Sequence, residues 1–211
     1  MTKRQNIALI LNIAAFVLGS IGIIVRIARN IPDFFLYYTQ LSNVVAVISS
    51  AMFIAFRNTE NAKLRRLVIA GRYLSACGLT MTFMVVTAIF LPFGTPESAE
   101  MLAGHLNGIL HHFVCPVISV VSYIFFEDGV KTKRAVLIPF IATAIYAFTV
   151  YTLNFLRLAP APYPFFAVYD YPVWELVMWF FGLMALVAGI AFAVRAANLA
   201  AAKRRYKNEM S

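Results

Sequence analysis

Long apolar runs separated by short polar segments dominate the pattern of this chain. Backbone groups in lipid must be satisfied within their own segment, so an apolar run that crosses a membrane is predicted to be a helix. Six runs are close to the roughly 20 residues that a spanning helix needs, at about 7–25, 34–56, 73–93, 106–126, 135–156 and 173–194. We therefore predict an all-α membrane protein, in which residues 1–211 form one domain with six transmembrane helices in a single bundle.

The composition agrees with this assignment. Hydrophobic residues make up 62% of the chain and charged residues only 13%, whereas a soluble domain carries about 25% charged residues. The six runs occupy most of the 211 residues, so no separate soluble domain is expected. Cys77 and Cys115 fall in predicted spans at different depths, and we expect both to pack in the interior rather than to form a disulfide.

The distribution of charge predicts the topology. A net charge of +9 would suggest a nucleic-acid partner in a soluble protein, but here the bases concentrate in alternate connections. Of the 18 Lys and Arg residues, three (Arg26, Arg29 and Arg157) lie on one predicted side, and the other fifteen, Arg72 among them, lie on the opposite side. Because basic connections stay in the cytoplasm, we predict cytoplasmic termini and a plasma-membrane location, which is the inner membrane in a bacterium. Membrane lipids are the expected partners, nucleic acid is not, and the sequence does not specify an oligomeric state.

A polar stretch interrupts the second predicted span. In FLYYTQLSNVV, Thr39 lies about four residues into the span, and Thr39, Ser42 and Asn43 share a helix face at spacings of three and four. Gln40 points to another side of the same helix. A polar face inside a membrane normally contacts protein or a cavity, because lipid offers no hydrogen-bond partners.

The fourth predicted span contains GHLNGILHHFVCP, with the adjacent histidines His111 and His112. At α-helical spacing, Asn107, His111 and Cys115 share one face. Pro116 lacks the N–H that the carbonyl of His112 would bind, so we expect a kink just below the histidines. The polar residues of the second and fourth spans lie at a similar depth on the same side. This match predicts one shared polar pocket that opens toward the outer leaflet.

Three interpretations of this pocket follow from the residues. Its polar side chains can tie the helices together by hydrogen bonds. A histidine can act as the general base for a threonine or serine hydroxyl. The pocket can also bind or pass a ligand. No metal, haem or other cofactor is predicted, because no carboxylate or thiolate set completes a zinc site and the histidines share one helix.

The longest outer connection, RLAPAPYPFFAVYDYP, is rich in proline and aromatic residues. Proline fixes the backbone and should make this segment extended and stiff. Aromatic rings favour the headgroup level of a membrane. The segment is predicted to form either an interfacial belt or the lip of a substrate entry, with Tyr163, Phe165 and Phe166 at its centre.

Taken in order, FLYYTQLSNVV, LNGILHHFVCP and YPFF resemble motifs of the androgen-induced membrane proteins and their microbial six-pass relatives. The androgen-induced proteins hydrolyse fatty-acid esters of hydroxy fatty acids with a threonine nucleophile and a histidine base. Their threonine motif falls on Thr39. Their histidine motif, a Leu-Asn pair and then a histidine five residues before a proline, falls on His111. Gly108 stands where that family has a further histidine, and His112 is a second histidine here.

The resemblance implies a lipid-ester hydrolase in which His111 deprotonates Thr39 for attack on the ester carbonyl. The alternative is a transporter or binding protein for lipids or small molecules, which would use the same pocket without cleaving a bond. Supporting roles are expected for Ser42 as an alternative nucleophile, for Asn43 or Asn107 as oxyanion donors, and for Glu175 as a group that orients the histidine or pairs with a surface arginine.

Overall fold

The computed structural model describes residues 2–29, 33–94 and 104–210, except for the side chains of 208–210. Throughout these ranges the regular structure is helical, and six helices are long and apolar enough to cross a membrane. This confirms the predicted all-α, six-helix class and indicates an integral multi-pass membrane protein. In chain order the helices are α1 (Lys3–Ala28), α2 (Tyr38–Phe56), α3 (Ala62–Phe93), α4 (Leu106–Phe125), α5 (Leu137–Phe155) and α6 (Val173–Met210).

Helix α2 begins later than the hydrophobic run suggests. Phe34–Leu36 forms a separate 3₁₀ turn, which follows Asp33 in the left-handed region (φ 64°). Tyr37 is extended, and the α-helix starts only at Tyr38. Thr39 is therefore the second residue of α2, and the prediction that it lies about four residues inside the span was wrong. The apolar pattern continues through the turn, so hydropathy alone does not mark this boundary.

Helices α3 and α6 extend well beyond their apolar runs. The side chain of Asn61 caps α3 by accepting hydrogen bonds from the backbone N–H groups of Lys63 and Leu64, which is a strong helix-start signal. The basic segment after it is thus helical and places Arg72 inside α3, where it is completely buried. The assignment of Arg72 to a connecting segment was wrong. A charged residue can lie inside the bundle here because the buried carboxylate of Glu127, 2.9 Å away, neutralises the guanidinium. At the other end of the chain, the basic tail continues α6 to Met210.

Helix α3 lies at the centre of the bundle and packs against α2, α4, α5 and α6. Its middle section is fully buried at Tyr73, Ala76, Cys77 and Leu79. The Tyr73 hydroxyl donates a 2.7 Å hydrogen bond to the carbonyl of Ala191 in α6, which fixes the contact between these two helices. Cys77 and Cys115 are both buried and free, as predicted.

The two ends of the bundle are distinct. At the end where α1 and α3 begin, which we call the basic end, Arg4 and Arg65 both bind Asp128 in the α4–α5 connection, at 3.1 and 3.0 Å. Partial burial would raise the pKa of Asp128, but the hydrogen bonds from the two arginines outweigh it and hold that pKa below its usual value. The opposite end, which we call the cavity end, includes the end of α1 and the start of α2. The first two predicted outer connections, RIARNIPD and GTPESAEMLAGH, include residues 30–32 and 95–103, which lie outside the described residues.

Candidate functional site

A cavity of about 680 Å³ lies at the cavity end, between all six helices and the connection from α5 to α6. Its wall is mostly apolar. The proline-rich connection contributes a short 3₁₀ turn, Pro164–Phe166, and Tyr163 stacks on Phe90 and Phe165 at centroid distances of 5.8 and 5.2 Å. The polar and charged residues of the wall are Arg26, Tyr37, Tyr38, Thr39, Gln40, Thr82, Asn107, His112, Thr143, Tyr146, Tyr163, Tyr171 and Glu175.

Thr39 lies on the cavity wall in the first turn of α2, and only 7% of the residue is accessible. The hydroxyl of Tyr163 interacts with the Thr39 side chain and with the backbone of Tyr38 and Thr39. The first N–H groups of α2 already have partners, since that of Tyr38 donates to the Tyr146 hydroxyl at 3.1 Å and that of Gln40 donates to the carbonyl of Tyr37 at 3.0 Å. The phenol of Tyr163 is thus a donor that lies close to the Thr39 side chain.

His111 is not part of the cavity wall, and its side chain is completely buried between helices. Its Nδ1 lies 3.1 Å from Gln40 Oε1 in α2, and its Nε2 lies 3.2 Å from the carbonyl oxygen of Gly19 in α1. A neutral imidazole has one N–H, and a backbone carbonyl can only accept, so Nε2 donates to Gly19. Nδ1 then has to accept a hydrogen bond, which the amide nitrogen of Gln40 provides when the side-chain amide is rotated by 180°. The ring of His111 therefore links α1, α2 and α4.

His112, the next residue, lines the cavity together with Asn107. These two residues are five apart in the sequence and lie on the same face because residues Leu110–Val114 form a π-helical turn, in which the N–H of Cys115 bonds the carbonyl of Leu110. The α-helical spacing used for the sequence prediction put His111 on the face of Asn107. The wider turn shifts the register by one residue, so that His112 rather than His111 lies on the face of Asn107.

A second π-helical turn, Val86–Phe90, lines the cavity from α3. In both helices a proline lies two residues after the last residue of the turn, Pro92 in α3 and Pro116 in α4. A proline has no N–H, and its ring collides with the carbonyl four residues earlier in a regular α-helix. A π turn shifts the bonding to the fifth residue and relieves that collision. Such turns occur frequently at functional sites.

The structure brings Thr39 and His111 to the same level through their backbones. The amide nitrogen of Asn43 donates hydrogen bonds to the carbonyl of Thr39 at 2.9 Å and to the carbonyl of His111 at 3.2 Å. Asn43 is fully buried and lies outside the cavity wall. Ser42 also lies outside the wall and faces α3, where a Cβ on Gly78 would be 3.1 Å from its hydroxyl.

The other predicted site residues line the cavity. Asn107 is 6% accessible, and its Oδ1 has no hydrogen-bond partner among the described residues. Glu175 contributes to the wall from the first turn of α6. The predicted lip residues Tyr163, Phe165 and Phe166 belong to the wall as well, and both phenylalanines are buried rather than placed at a solvent-facing rim.

Arg26 is a cavity residue that the sequence analysis treated only as a boundary charge. It is 8% accessible, its guanidinium lies 5.1 Å from the centroid of the Tyr37 ring, and its Nε has no partner in the described ranges. The sequence does contain a signal for this position. The buried face of α1 recurs at spacings of three and four and includes Arg26 in the series Ala8, Asn12, Ala15, Gly19, Gly22 and Arg26.

Comparisons of the chain with protein-family models, with curated proteins and with solved structures gave no match. The class of the protein is therefore defined by its own architecture, a six-helix chain with the composition of a multi-pass membrane protein.

Proposed function

We propose that this protein is an intramembrane hydrolase of lipid esters and that the reaction takes place in the large cavity. The observation that carries the proposal is that Thr39 and His112, a hydroxyl residue and a histidine, both line the same mostly apolar space of about 680 Å³. This volume lies in the range of small-molecule sites, which combine apolar walls with a few convergent polar groups. The apolar wall suits an acyl chain, and the polar groups suit the ester.

The proposed reaction proceeds in two steps. His112 takes the proton of the Thr39 hydroxyl as Oγ1 attacks the ester carbonyl, and then returns that proton to the departing alkoxide, which leaves an acyl-threonine and a free alcohol. In the second step His112 deprotonates a water molecule that attacks the acyl-threonine, and the acid leaves as Thr39 regains its proton. The Tyr163 hydroxyl, which already interacts with Thr39, donates to the oxyanion.

The identity of the base separates two versions of this proposal. The resemblance to the androgen-induced membrane proteins implies His111 and, with it, fatty-acid esters of hydroxy fatty acids as substrates. The geometry favours His112, because the ring of His111 lies behind Gln40 and both of its ring nitrogens are engaged by Gln40 and Gly19. In the version that we favour, His111 holds α1, α2 and α4 together beneath the site.

Binding or transport of lipids without catalysis is the second candidate function. It is favoured by the mostly apolar wall of the cavity, which includes the stacked rings of Tyr163 and Phe165 and suits a lipid chain whether or not a bond is cleaved. In that case Thr39 and Tyr163 would hold the polar end of a lipid by hydrogen bonds.

We also propose that both termini are cytoplasmic and that the cavity is near the outer leaflet. This follows from the concentration of Lys and Arg at the basic end. A fluorescent-protein fusion at the C-terminus and an alkaline-phosphatase fusion within residues 157–172, expressed in a bacterium, should both be active. An inactive phosphatase at that site would contradict the orientation.

Covalent labelling by a fluorophosphonate probe tests the enzyme proposal without assuming a substrate. We expect the purified protein to label, and mass spectrometry of the digested protein to place the phosphonate on Thr39. Thr39→Ala should abolish labelling, and His112→Ala should slow it by about 10²–10⁴-fold, as expected for loss of a general base. Ser42→Ala, one turn away and outside the cavity wall, is the matched control and should label at the wild-type rate.

His111→Ala distinguishes the two versions. If folded His111→Ala does not label while His112→Ala labels normally, the general base is His111 and not His112. If the folded wild-type protein does not label, the enzyme proposal fails and the binding function stands. Thermal midpoints of all variants in detergent show whether each one is folded.

A further inference from the structure

A second, smaller cavity of about 80 Å³ lies at the basic end, far from the cavity already described. It is formed by the first turns of α1, the end of α2, the α2–α3 connection, α3 and the start of the α4–α5 connection. Helix α1, which has 26 residues and spans about 39 Å, separates the two cavities along the bundle axis. Four arginines stand in its wall, namely Arg4, Arg57, Arg65 and Arg72.

Two carboxylates in the same wall, Glu127 and Asp128, neutralise only part of this charge. Arg72 pairs with Glu127 at 2.9 Å, and both side chains are almost completely buried. Arg4 and Arg65 share the single carboxylate of Asp128. Four guanidinium groups against two carboxylates leave an excess of two positive charges in the wall of a small cavity.

Arg57 has no acidic partner among the described residues. Its Nη1 donates to the backbone carbonyl of Ile54, and its Nε is buried with no hydrogen-bond partner in the described parts of the chain. A buried N–H without an acceptor is unfavourable, and such groups in native structures are usually satisfied by something. An anion in the cavity would give the Arg57 guanidinium, which belongs to a residue of the same wall, a partner of opposite charge.

The arginines, the size of the cavity and its apolar neighbours indicate which anion fits. Guanidinium groups bind the oxygens of phosphate in a planar, two-pronged geometry. A space of about 80 Å³ is a few times the share of one water molecule in the liquid, roughly 30 Å³, which suits a phosphate group and excludes a nucleotide. Apolar side chains from Phe53, Phe56, Val68 and Phe126 line the same space and suit glycerol or the start of an acyl chain.

We propose that this cleft binds the phosphate group of an anionic phospholipid, with Arg57 as the residue that contacts the phosphate oxygens. The connections of the basic end lie beside the ends of the apolar helices, where lipid headgroups lie in a bilayer. The proposal is independent of the lipid-ester chemistry, because no residue of the second cavity lines the first one.

Native mass spectrometry of the full-length protein in detergent tests this proposal. The probes are dioleoyl-phosphatidylglycerol and, as a zwitterionic reference, dioleoyl-phosphatidylcholine. We expect one phosphatidylglycerol to be retained with at least about tenfold higher affinity than phosphatidylcholine, because the headgroup of phosphatidylcholine offers no net charge to the site. Arg57→Gln should weaken phosphatidylglycerol binding by about tenfold, as expected for loss of a charge-assisted hydrogen bond.

Two variants provide the controls. Arg66→Gln removes an exposed arginine that lies one residue beyond Arg65, outside the cavity wall, and should change the affinity by less than twofold. Arg57→Lys keeps the charge without the planar fork and should bind phosphatidylglycerol more weakly than wild type but more tightly than Arg57→Gln. Equal losses in Arg66→Gln and Arg57→Gln would overturn the proposal, because they would show a response to net charge alone.

Inorganic phosphate distinguishes the lipid from a soluble source of the same group. We expect millimolar inorganic phosphate to leave the bound phosphatidylglycerol in place. If it displaces the lipid and raises the thermal midpoint of wild type but not of Arg57→Gln, the site takes free phosphate and the lipid assignment is wrong. Fluorophosphonate labelling of Thr39 is unaffected by any of these results, so the two proposals fail separately.

Discussion

At the scale of single residues, the site depends on a close fit between Gly22 and His111. A Cβ on Gly22 would lie 2.2 Å from Nε2 and 2.6 Å from Cδ2 of the His111 ring, so only glycine leaves room for the imidazole. The ring cannot withdraw easily, because its two nitrogens are bonded to Gln40 and Gly19. This small residue therefore decides how closely α1 approaches α4, as small residues commonly do in membrane proteins.

Gly22→Ala should destabilise the protein through this collision. Overpacking of an interior typically costs about 1–3 kcal/mol, which we expect to see as a clearly lower thermal midpoint in detergent. Gly189→Ala in α6 is the matched control, because nothing lies within 4 Å of its added Cβ and alanine favours helix. Its midpoint should stay the same or rise. Equal effects of the two changes would contradict the role given to Gly22.

The sequence showed which polar residues lie in the spans more readily than the side of the helix on which each side chain lies. The polar face of α2 and the paired histidines are visible in the sequence because polar groups are rare in apolar runs. The side of the helix that each one occupies depends on the local turn. Arg26 was overlooked for a different reason: its charge suggested a membrane boundary, while its register along the small residues of α1 points inward.

At the scale of elements, the number of helices could be predicted and their ends could not. The number follows from hydropathy, which extends over a whole span. The ends depend on local contacts, such as the Asn61 cap of α3 and the 3₁₀ turn Phe34–Leu36. The two π turns were also missed, although each one has a sequence signal in the proline that follows it. An assumption of uniform α-helical spacing hides this signal.

Pro116→Ala tests whether the proline maintains the π turn of α4. Alanine restores an N–H that can bond the carbonyl of His112, so the turn should revert toward α-helix and rotate His112 away from the cavity wall. We expect fluorophosphonate labelling to slow by at least about tenfold while the protein remains folded, because each residue of register turns a helix face by about 100°. The labelling rate and the thermal midpoint are the two measurements.

Pro139→Ala provides the comparison for that experiment. Pro139 is the third residue of α5 and lies outside the wall of the large cavity. Its replacement should leave the labelling rate at the wild-type level. Normal labelling of Pro116→Ala would show that the π turn persists without the proline, and that the rest of α4 determines it.

At the scale of the whole molecule, a buried polar network joins the helices at the basic end. Arg72 in α3 donates to Glu127 with Nε and Nη2 and to Ser50 in α2 with Nη1. Glu127 also accepts from Asn12 in α1 at 2.9 Å and from Ser122 in α4 at 2.6 Å. Helices in lipid gain no hydrophobic energy by associating, so such bonds matter more to their arrangement. The cavity end, in contrast, places many of its polar residues in the wall of the large cavity.

The energetic role of this network follows from the burial of its two charges. Arg72→Gln leaves the Glu127 carboxylate buried without its cation, and breaking a buried pair in this way typically costs about 3–5 kcal/mol. Arg4→Gln removes a partly exposed partner of Asp128 and should cost less than about 1 kcal/mol, since solvent screens that pair. Unfolding in mixed micelles with increasing denaturing detergent measures both free energies.

The double variant Arg72→Gln/Glu127→Gln should recover part of the loss, because it leaves no isolated charge, and a double-mutant cycle then gives the coupling. If the losses of the single variants Arg72→Gln and Glu127→Gln simply add in the double variant, Arg72 and Glu127 do not stabilise each other and the network does not hold the basic end together.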